Sequence, residues 1–312
     1  MRHLGAGTLA MAGTPAVTDS ARDSFANYRE RLDALGFRPS STRGQNFLLD
    51  PTLHRVIAGA AESSDRDVVL EIGVGLGFLT RELALVAGFV LGVEIDSRLH
   101  AVASEDLASF RNVEIVLADA LSGPGGSLPE VVRTRLDQAL TDREEFLVVG
   151  NLPYAASGPL LAELFCLPRL PDRIVVLVQR ELGDRLAAKA GSEDYGGLSA
   201  LLQSAYAVER LRTVGAEVFR PRPKVASAIV RLRRRADTDR FQPADRRALQ
   251  QFVRVLFGKR RKVLRTTVTE AAAAIGSGFP DLPESFLQRR AETLAPDEMV
   301  ELFHAVRAAG PA

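Results

Sequence analysis

A chain of 312 residues with 46% hydrophobic content is long enough for one large core or two ordinary ones. No apolar run approaches the roughly 20 residues that cross a bilayer, and the single cysteine, Cys166, excludes an internal disulfide, so a soluble protein of the reducing cytoplasm is expected. The net charge of +1 hides a segregation: residues 204–265 hold 18 Lys or Arg against 5 Asp or Glu, a local excess of +13 that leaves −12 for the remainder.

In chain order, the stretch up to about residue 25 is rich in Ala, Gly, Thr and Ser and lacks the basic start and sustained apolar run of a targeting peptide. A disordered tail over 1–25 is expected. Gly44 to Leu48 reads as a loop leading to a helix after Asp50. From about residue 66, short β-branched runs alternate with helix-like stretches, which is the pattern of parallel strands joined by crossover helices. The strands fall at Val68 to Ile72, Phe89 to Ile95, Val113 to Leu117, Phe146 to Val149 and Ile174 to Gln179; helices fall at Phe78 to Ala87, Ser97 to Ser109, Gly158 to Phe165 and Glu181 to Lys189. Ser122 to Glu145, a Gly/Pro-rich turn followed by an amphipathic stretch, reads as a surface excursion. Glu209 to Val214 and Ala226 to Leu232 read as antiparallel strands closing the sheet. Polar residues interrupt the pattern at Ala236 to Arg240. Beyond them, Pro243 to Gly258, Arg260 to Ala274 and Pro296 to Ala308 show helical spacing, which predicts a small helical domain.

The first parallel strand runs into Glu71-Ile72-Gly73-Val74-Gly75-Leu76-Gly77 and then a helix. Glycines here permit a tight turn and let backbone N–H groups approach a ligand. The spacing is G-x-G-x-G preceded by an acid, not the G-x-G-x-x-G of dinucleotide sites, which argues against NAD. The second strand ends in Glu94-Ile95-Asp96, placing a carboxylate where it can accept both hydroxyls of a ribose; Asp119, after the third strand, is placed to accept from an adenine amino group. Each acid alone is more often a helix cap or a surface charge. Three successive strand ends carrying turn, acid and acid point instead to an adenosine without phosphates, since no Lys or Arg stands in the glycine turn. S-adenosylmethionine meets that description. The fourth strand leads into Asn151-Leu152-Pro153-Tyr154, where a polar side chain, a fixed turn and a ring can hold a planar exocyclic amine and stack on its base. As turn chemistry alone, Asn-Leu-Pro-Tyr is equally an ordinary strand ending.

Two basic clusters stand out, Arg231, Arg233, Arg234, Arg235 and then Lys259, Arg260, Arg261, Lys262, Arg265. A solvated face is the usual fate of a charge run, but segregation on this scale favours a polyanion-binding surface. The four histidines and one cysteine show no ligand spacing, so no metal is expected.

Taken together, Gly44 to Leu48, Glu71 to Gly77, Val93 to Asp96, Asp119-Ala120-Leu121, Gly150 to Tyr154, Gly191 to Leu198, Pro221 to Leu232, Lys259 to Arg265 and Arg290 to Leu294 resemble the small-subunit ribosomal RNA adenine dimethyltransferases, the dimethyladenosine transferase family. The resemblance implies an α/β fold, a Rossmann-like class I methyltransferase sheet over 26–236, with a small C-terminal helical RNA-binding domain over 237–312. It also implies S-adenosyl-L-methionine as cofactor, and N6,N6-dimethylation of two adjacent adenines in small-subunit rRNA within a pre-ribosomal particle. A cytoplasmic monomer without metal or membrane partner is the matching expectation. By the same resemblance Asn46 and Leu48 line the cofactor pocket, Gly73 belongs to the methionine-side turn, Glu94 to the ribose, Asp119 to the adenine, and Asn151 stands beside the transferred methyl. The Asn151 side chain and the Leu152 carbonyl accept from the target amine, Tyr154 stacks on the flipped base, and Phe219 is a second stacking face, although a lone aromatic reads equally as core. Ala118 where Gly is common, and Ala155 after Tyr154, depart from the family pattern. Two alternatives stand beside this reading. The large-subunit dimethyltransferase that gives macrolide resistance shares the site, with Pro221 to Leu232 and Arg290 to Leu294 favouring the small-subunit type. A non-catalytic ribosome assembly or transcription factor is opposed by the intact Glu94, Asp119, Asn151 and Tyr154.

Overall fold

The computed structural model describes residues 25–38, 46–236, 242–259 and 262–311. The chain divides into two compact units, 1–38 and 39–312. In the first, the described part is a helix, α1 (Phe25–Ala34), ending at Gly36 with φ +64°. The tail expected over 1–25 lies almost wholly outside the described residues.

The second unit is organised by strands β2 (Val68–Ile72), β3 (Phe89–Glu94), β4 (Val113–Leu117), β5 (Phe146–Asn151) and β6 (Arg173–Gln179), all mutually parallel. Two further strands, β7 (Tyr206–Val214) and β9 (Ser227–Arg234), complete a seven-stranded sheet of order β4-β3-β2-β5-β6-β9-β7, in which β9 runs antiparallel to both its neighbours. The central strands are apolar at most positions because helices cover both faces. Val68, Leu70 and Ile72 belong to one apolar cluster, while Val69 belongs to another with Leu147, Val149, Val175 and Leu177. The second face is covered by α2 (Pro51–Ala61), through Leu53, Ile57 and Ala61, and by α3 (Phe78–Ala84), through Leu79 and Leu83. α2 starts where Asp50 accepts from the Thr52 and Leu53 N–H groups and Pro51 presets the first turn. The crossover between β3 and β4 is α4 (Ser97–Asp106), capped by Asp96.

The first face is covered by α5 (Glu130–Ala139), α6 (Ser157–Leu164), α7 (Arg180–Leu186) and α8 (Gly197–Gln203), all of which place residues in its cluster. Here the structure corrects the surface excursion expected at 122–145. Leu128, Val132 and Leu136, each four residues from the next, are buried in the same cluster as Val68, so this stretch carries a crossover helix whose charged outer face masked its apolar one.

Helices α9 (Pro243–Leu256), α10 (Leu264–Ala274), α11 (Glu284–Leu287) and α12 (Pro296–Ala308) follow. Leu249, Phe252, Leu264, Val268 and Phe303 join the cluster that contains Leu232 and Val230. The polar break at Ala236 to Arg240 lies, apart from Ala236, outside the described residues. A short ribbon pairs β1 (Phe47–Leu48) with β8 (Phe219–Arg220), antiparallel, with Leu48 opposite Phe219. The first of these segments reads as a loop in sequence, because a two-residue strand carries no periodicity.

Candidate active site

Strand β2 pairs with β3 on one side and β5 on the other, so the crossovers leave it in opposite directions and a crevice opens at its carboxyl end. Gly73 and Gly75 there have φ +82° and +58°, a region that side chains disfavour. A Cβ on Gly73 would stand 3.7 Å from the Asn151 carbonyl oxygen and 3.9 Å from Pro153 Cδ, so the turn after β2 lies directly against the turn after β5.

Two adjoining cavities occupy this crevice. The first, about 120 Å³, is lined by Asn46, Leu48, Gly73, Glu94 and Asn151 among others. The second, about 390 Å³, is lined by Asp119, and the two share Gly73, Ile95 and Pro153. Glu94 is buried and bridges two elements: Oε2 accepts the Gly75 N–H at 2.8 Å and Oε1 accepts the Asp96 N–H at 2.9 Å. Burial pushes its carboxyl up, and these N–H groups draw it partly back. Asp96 is differently committed. It caps α4 and accepts from the Arg98 backbone N–H and guanidinium at 3.0 and 2.9 Å, and the guanidinium holds its carboxyl below the ordinary value. Asp119 is exposed, with Oδ1 accepting the Leu121 N–H at 2.9 Å.

Asn151 donates from Nδ2 to the Asn46 carbonyl at 3.0 Å, which fixes the amide and leaves Oδ1 as its acceptor. Leu152 buries its side chain and donates its N–H to the Leu177 carbonyl at 3.1 Å, anchoring the turn to β6. Tyr154 is half-buried, its hydroxyl 2.7 Å from Ser227 Oγ, and it lines neither cavity. Phe219 departs from expectation. Pairing of β8 with β1 turns its ring wholly into the core beside Leu48, Val214 and Ile229, where it offers no face for stacking.

Three lining residues were given no role from the sequence. Ile95 is 50% exposed, an apolar side chain open at the floor shared by the two cavities. His54 of α2 is buried with its ring 5.6 Å from that of Phe78; burial holds its pKa down at about 4, against the opposing pull of the Leu48 carbonyl. Glu71 is 1% exposed, its Oε2 has no hydrogen-bond partner, and burial pushes its carboxyl up to about 8, with Glu94 adding to the rise and the Thr80 hydroxyl opposing it. The sequence signal for Glu71 was a lone acid inside an otherwise apolar strand.

The basic clusters are largely drawn into ion pairs. Arg231 bridges Glu62 and Glu209 at 2.9 and 2.8 Å, Arg233 also pairs with Glu62, Arg234 with Asp172, and Arg235 with Asp297 at 3.2 Å. Lys259 pairs with Glu270 at 2.6 Å and Arg265 with Glu284, while Arg260 and Arg261 lie outside the described residues. Exposed Arg222 and Lys224, on the loop that leads to Ser227, have no ion-pair partner among the described residues. Among the described residues no group of three or more His, Cys, Asp or Glu is arranged for a metal, and no helix is long and apolar enough to cross a membrane.

The sheet order, the glycine turn and the acids at its strand ends define the Rossmann-like methyltransferase class of α/β proteins. Residues 37–277 match the family model described as ribosomal RNA adenine dimethylase. The chain is 35% identical over 287 residues to the ribosomal RNA small subunit methyltransferase A of Geobacillus sp. (strain WCH70), covering 89% of this chain and 95% of that one. To the protein of the same name from Anoxybacillus flavithermus it is 37% identical over 241 residues, covering 76% and 77%. Among solved structures, a dimethyladenosine transferase from Plasmodium falciparum superposes with a TM-score of 0.64 at 22% identity over 84% of this chain and 98% of that one. The 23S rRNA methyltransferase ErmE gives 0.55 at 28% identity, over 84% and 99%. The chain belongs to the ribosomal RNA adenine dimethylase family.

Proposed function

We propose that the chain uses S-adenosylmethionine to dimethylate N6 of two adjacent adenines in small-subunit rRNA during ribosome maturation in the cytoplasm. The observation that carries this reading is the Asn151 amide, held by the Asn46 carbonyl, in the lining of a cavity that contains two acids and no lysine or arginine. Such a lining suits a cationic, phosphate-free adenosine. Asn46, Leu48, Gly73 and Glu94 line the part that takes the donor, with Glu94 toward the ribose hydroxyls; Asp119 receives the adenine amino group in the adjoining cavity.

When bound, S-adenosylmethionine supplies an electrophilic methyl group on sulfur. The chain's own part is to hold the nucleophile. An adenine N6 shares its lone pair with the ring, and acceptors at Asn151 Oδ1 and the Leu152 carbonyl favour the tetrahedral geometry that frees it and stabilise the positive charge that develops. The anchors on this turn, Leu152 N–H to Leu177 and Ser157 Oγ to the Pro153 carbonyl at 2.9 Å, keep those acceptors fixed during the transfer. Tyr154 stacks on the everted base, its hydroxyl tied to Ser227. The small side chains of Ala155 and Ala156 leave room for a first methyl on the nitrogen. Exposed Arg220 at the end of β8, and Arg222 and Lys224 on the loop that enters β9 at Ser227, contact the rRNA backbone, and the helices beyond residue 237 extend that surface as an RNA-binding layer.

Mass spectrometry of rRNA from a strain lacking the gene tests the reading. Dimethyladenine is expected to vanish from small-subunit rRNA and to persist elsewhere. Unchanged small-subunit rRNA contradicts it, and loss confined to large-subunit rRNA assigns the large-subunit activity instead.

A further inference from the structure

The donor-side cavity holds three ionisable side chains, His54, Glu71 and Glu94. Glu94 spends both oxygens on backbone N–H groups. Glu71 spends neither lone pair of Oε2, although it is buried at the base of the same cavity. The groups around it give no positive charge: Thr80 of α3 presents a neutral hydroxyl, Glu94 of β3 is another acid, and His54 of α2 is kept neutral by burial. A buried carboxyl in that setting is neutral until a cation arrives to offset its desolvation.

We propose that Glu71 is a specificity residue that distinguishes the sulfonium donor from its thioether product by losing a proton to solvent when the donor binds and regaining one when the positive charge is gone. The proposal rests on the reading that this cavity takes S-adenosylmethionine. Donor and product, S-adenosylhomocysteine, share adenosine and the zwitterionic amino-acid end, and differ by one methyl group and one positive charge. Shape alone separates them weakly, whereas a charge difference in a low-dielectric pocket separates them strongly. The count of protons closes. The carbon–sulfur bond breaks with its electron pair remaining on sulfur, the N6 lone pair forms the new carbon–nitrogen bond, and the methylated nitrogen sheds one proton. Glu71 takes up one proton as the sulfonium disappears, and the next donor discharges it. Dimethylation needs two donors in succession at one nitrogen, so a pocket that loosens on its product serves each exchange.

Isothermal titration calorimetry of the full chain with S-adenosylmethionine, and separately with S-adenosylhomocysteine, in buffers of different ionisation enthalpy counts the protons exchanged. At about pH 7, close to one proton released per donor and clearly fewer per product are expected. Donor affinity is expected to fall about tenfold per pH unit below about pH 8, until the pKa in the complex is reached, with a shallower fall for the product. In Glu71→Gln, which copies the neutral form, the proton difference vanishes and the preference for donor over product drops by roughly tenfold. Equal proton release for the two ligands in wild type, or an unchanged difference in Glu71→Gln, overturns the proposal. The wild-type comparison decides alone if the variant does not fold. Binding without a proton difference refutes this inference only, whereas no donor binding at any pH refutes the reading of the cavity along with it.

Discussion

The cavity at the end of β2 and the arginine-rich edge of the sheet hold charge in opposite ways. Along β9 and its continuation, Arg231, Arg233, Arg234 and Arg235 are matched to Glu62, Glu209, Asp172 and Asp297, acids drawn from four different parts of the chain. In the cavity, Glu71 and Glu94 share a lining that includes no lysine or arginine. The densest charge in the sequence is thus largely spent on ion pairs within the fold, while the two acids of the cavity, set in apolar strands, have no lysine or arginine to pair with in its lining. Charge density read along a chain measures how many ions must be accommodated, and only the fold decides which remain available.

The comparison breaks most sharply at the turn after β5. Asn151→Ala removes the amide that Asn46 orients, and methylation is expected to fall by about 100- to 1,000-fold, the scale of losing one oriented polar group at a reacting centre, while donor binding measured by calorimetry persists. Glu94→Ala comes next. It strands the Gly75 and Asp96 N–H groups in a buried site, so donor affinity should collapse and thermal or denaturant unfolding should register a loss of about 1–3 kcal/mol. Full donor binding by that variant would remove Glu94 from the ribose.

For the basic surface, Arg222→Ala with Lys224→Ala is expected to lower the salt dependence of rRNA binding by about 1.5 in logarithmic slope, with donor affinity unchanged. Arg233→Ala with Arg234→Ala should leave that slope alone and cost at most about 1 kcal/mol of stability, since these are exposed pairs. The reverse pattern would show that the paired arginines are the RNA contacts.

The ligand-free fold carries a pH dependence of its own. His54 titrates at about 4 in the folded chain against an ordinary 6.5, so folding stability declines as pH falls from about 6.5 to about 4, and His54→Phe should flatten that decline. Glu71 has the opposite sign. Its folded value of about 8 stands above an ordinary 4.5, so the wild type loses stability as pH rises between the two, and Glu71→Gln should gain melting temperature over wild type progressively across that window.

Much of this architecture is written locally. Strands β2 and β4 fall at Val68–Ile72 and Val113–Leu117 as their apolar runs predict, and the antiparallel closing pair is legible because β-branched residues persist there beside turn residues. Asn46, Leu48, Gly73, Glu94 and Asn151, drawn together by a family resemblance, line one cavity, with Asp119 in the next. What was not legible depends on partners far along the chain. Phe219 is core because β8 pairs with β1, and nothing in two residues of strand announces such a pairing. The arginine partners are equally remote. The helix at Glu130–Ala139 hid behind its charged face, and Glu71 looked like part of a glycine motif until its lack of a partner was visible.

The most direct test is methyl transfer from radiolabelled S-adenosylmethionine to unmethylated small ribosomal subunits by wild type and by Asn151→Ala at matched donor occupancy. Label recovered as N6,N6-dimethyladenine with wild type, and essentially none with the variant, is the predicted result. Equal labelling by both proteins would contradict the account, because the chemistry would then lie somewhere other than the turn at the end of β5.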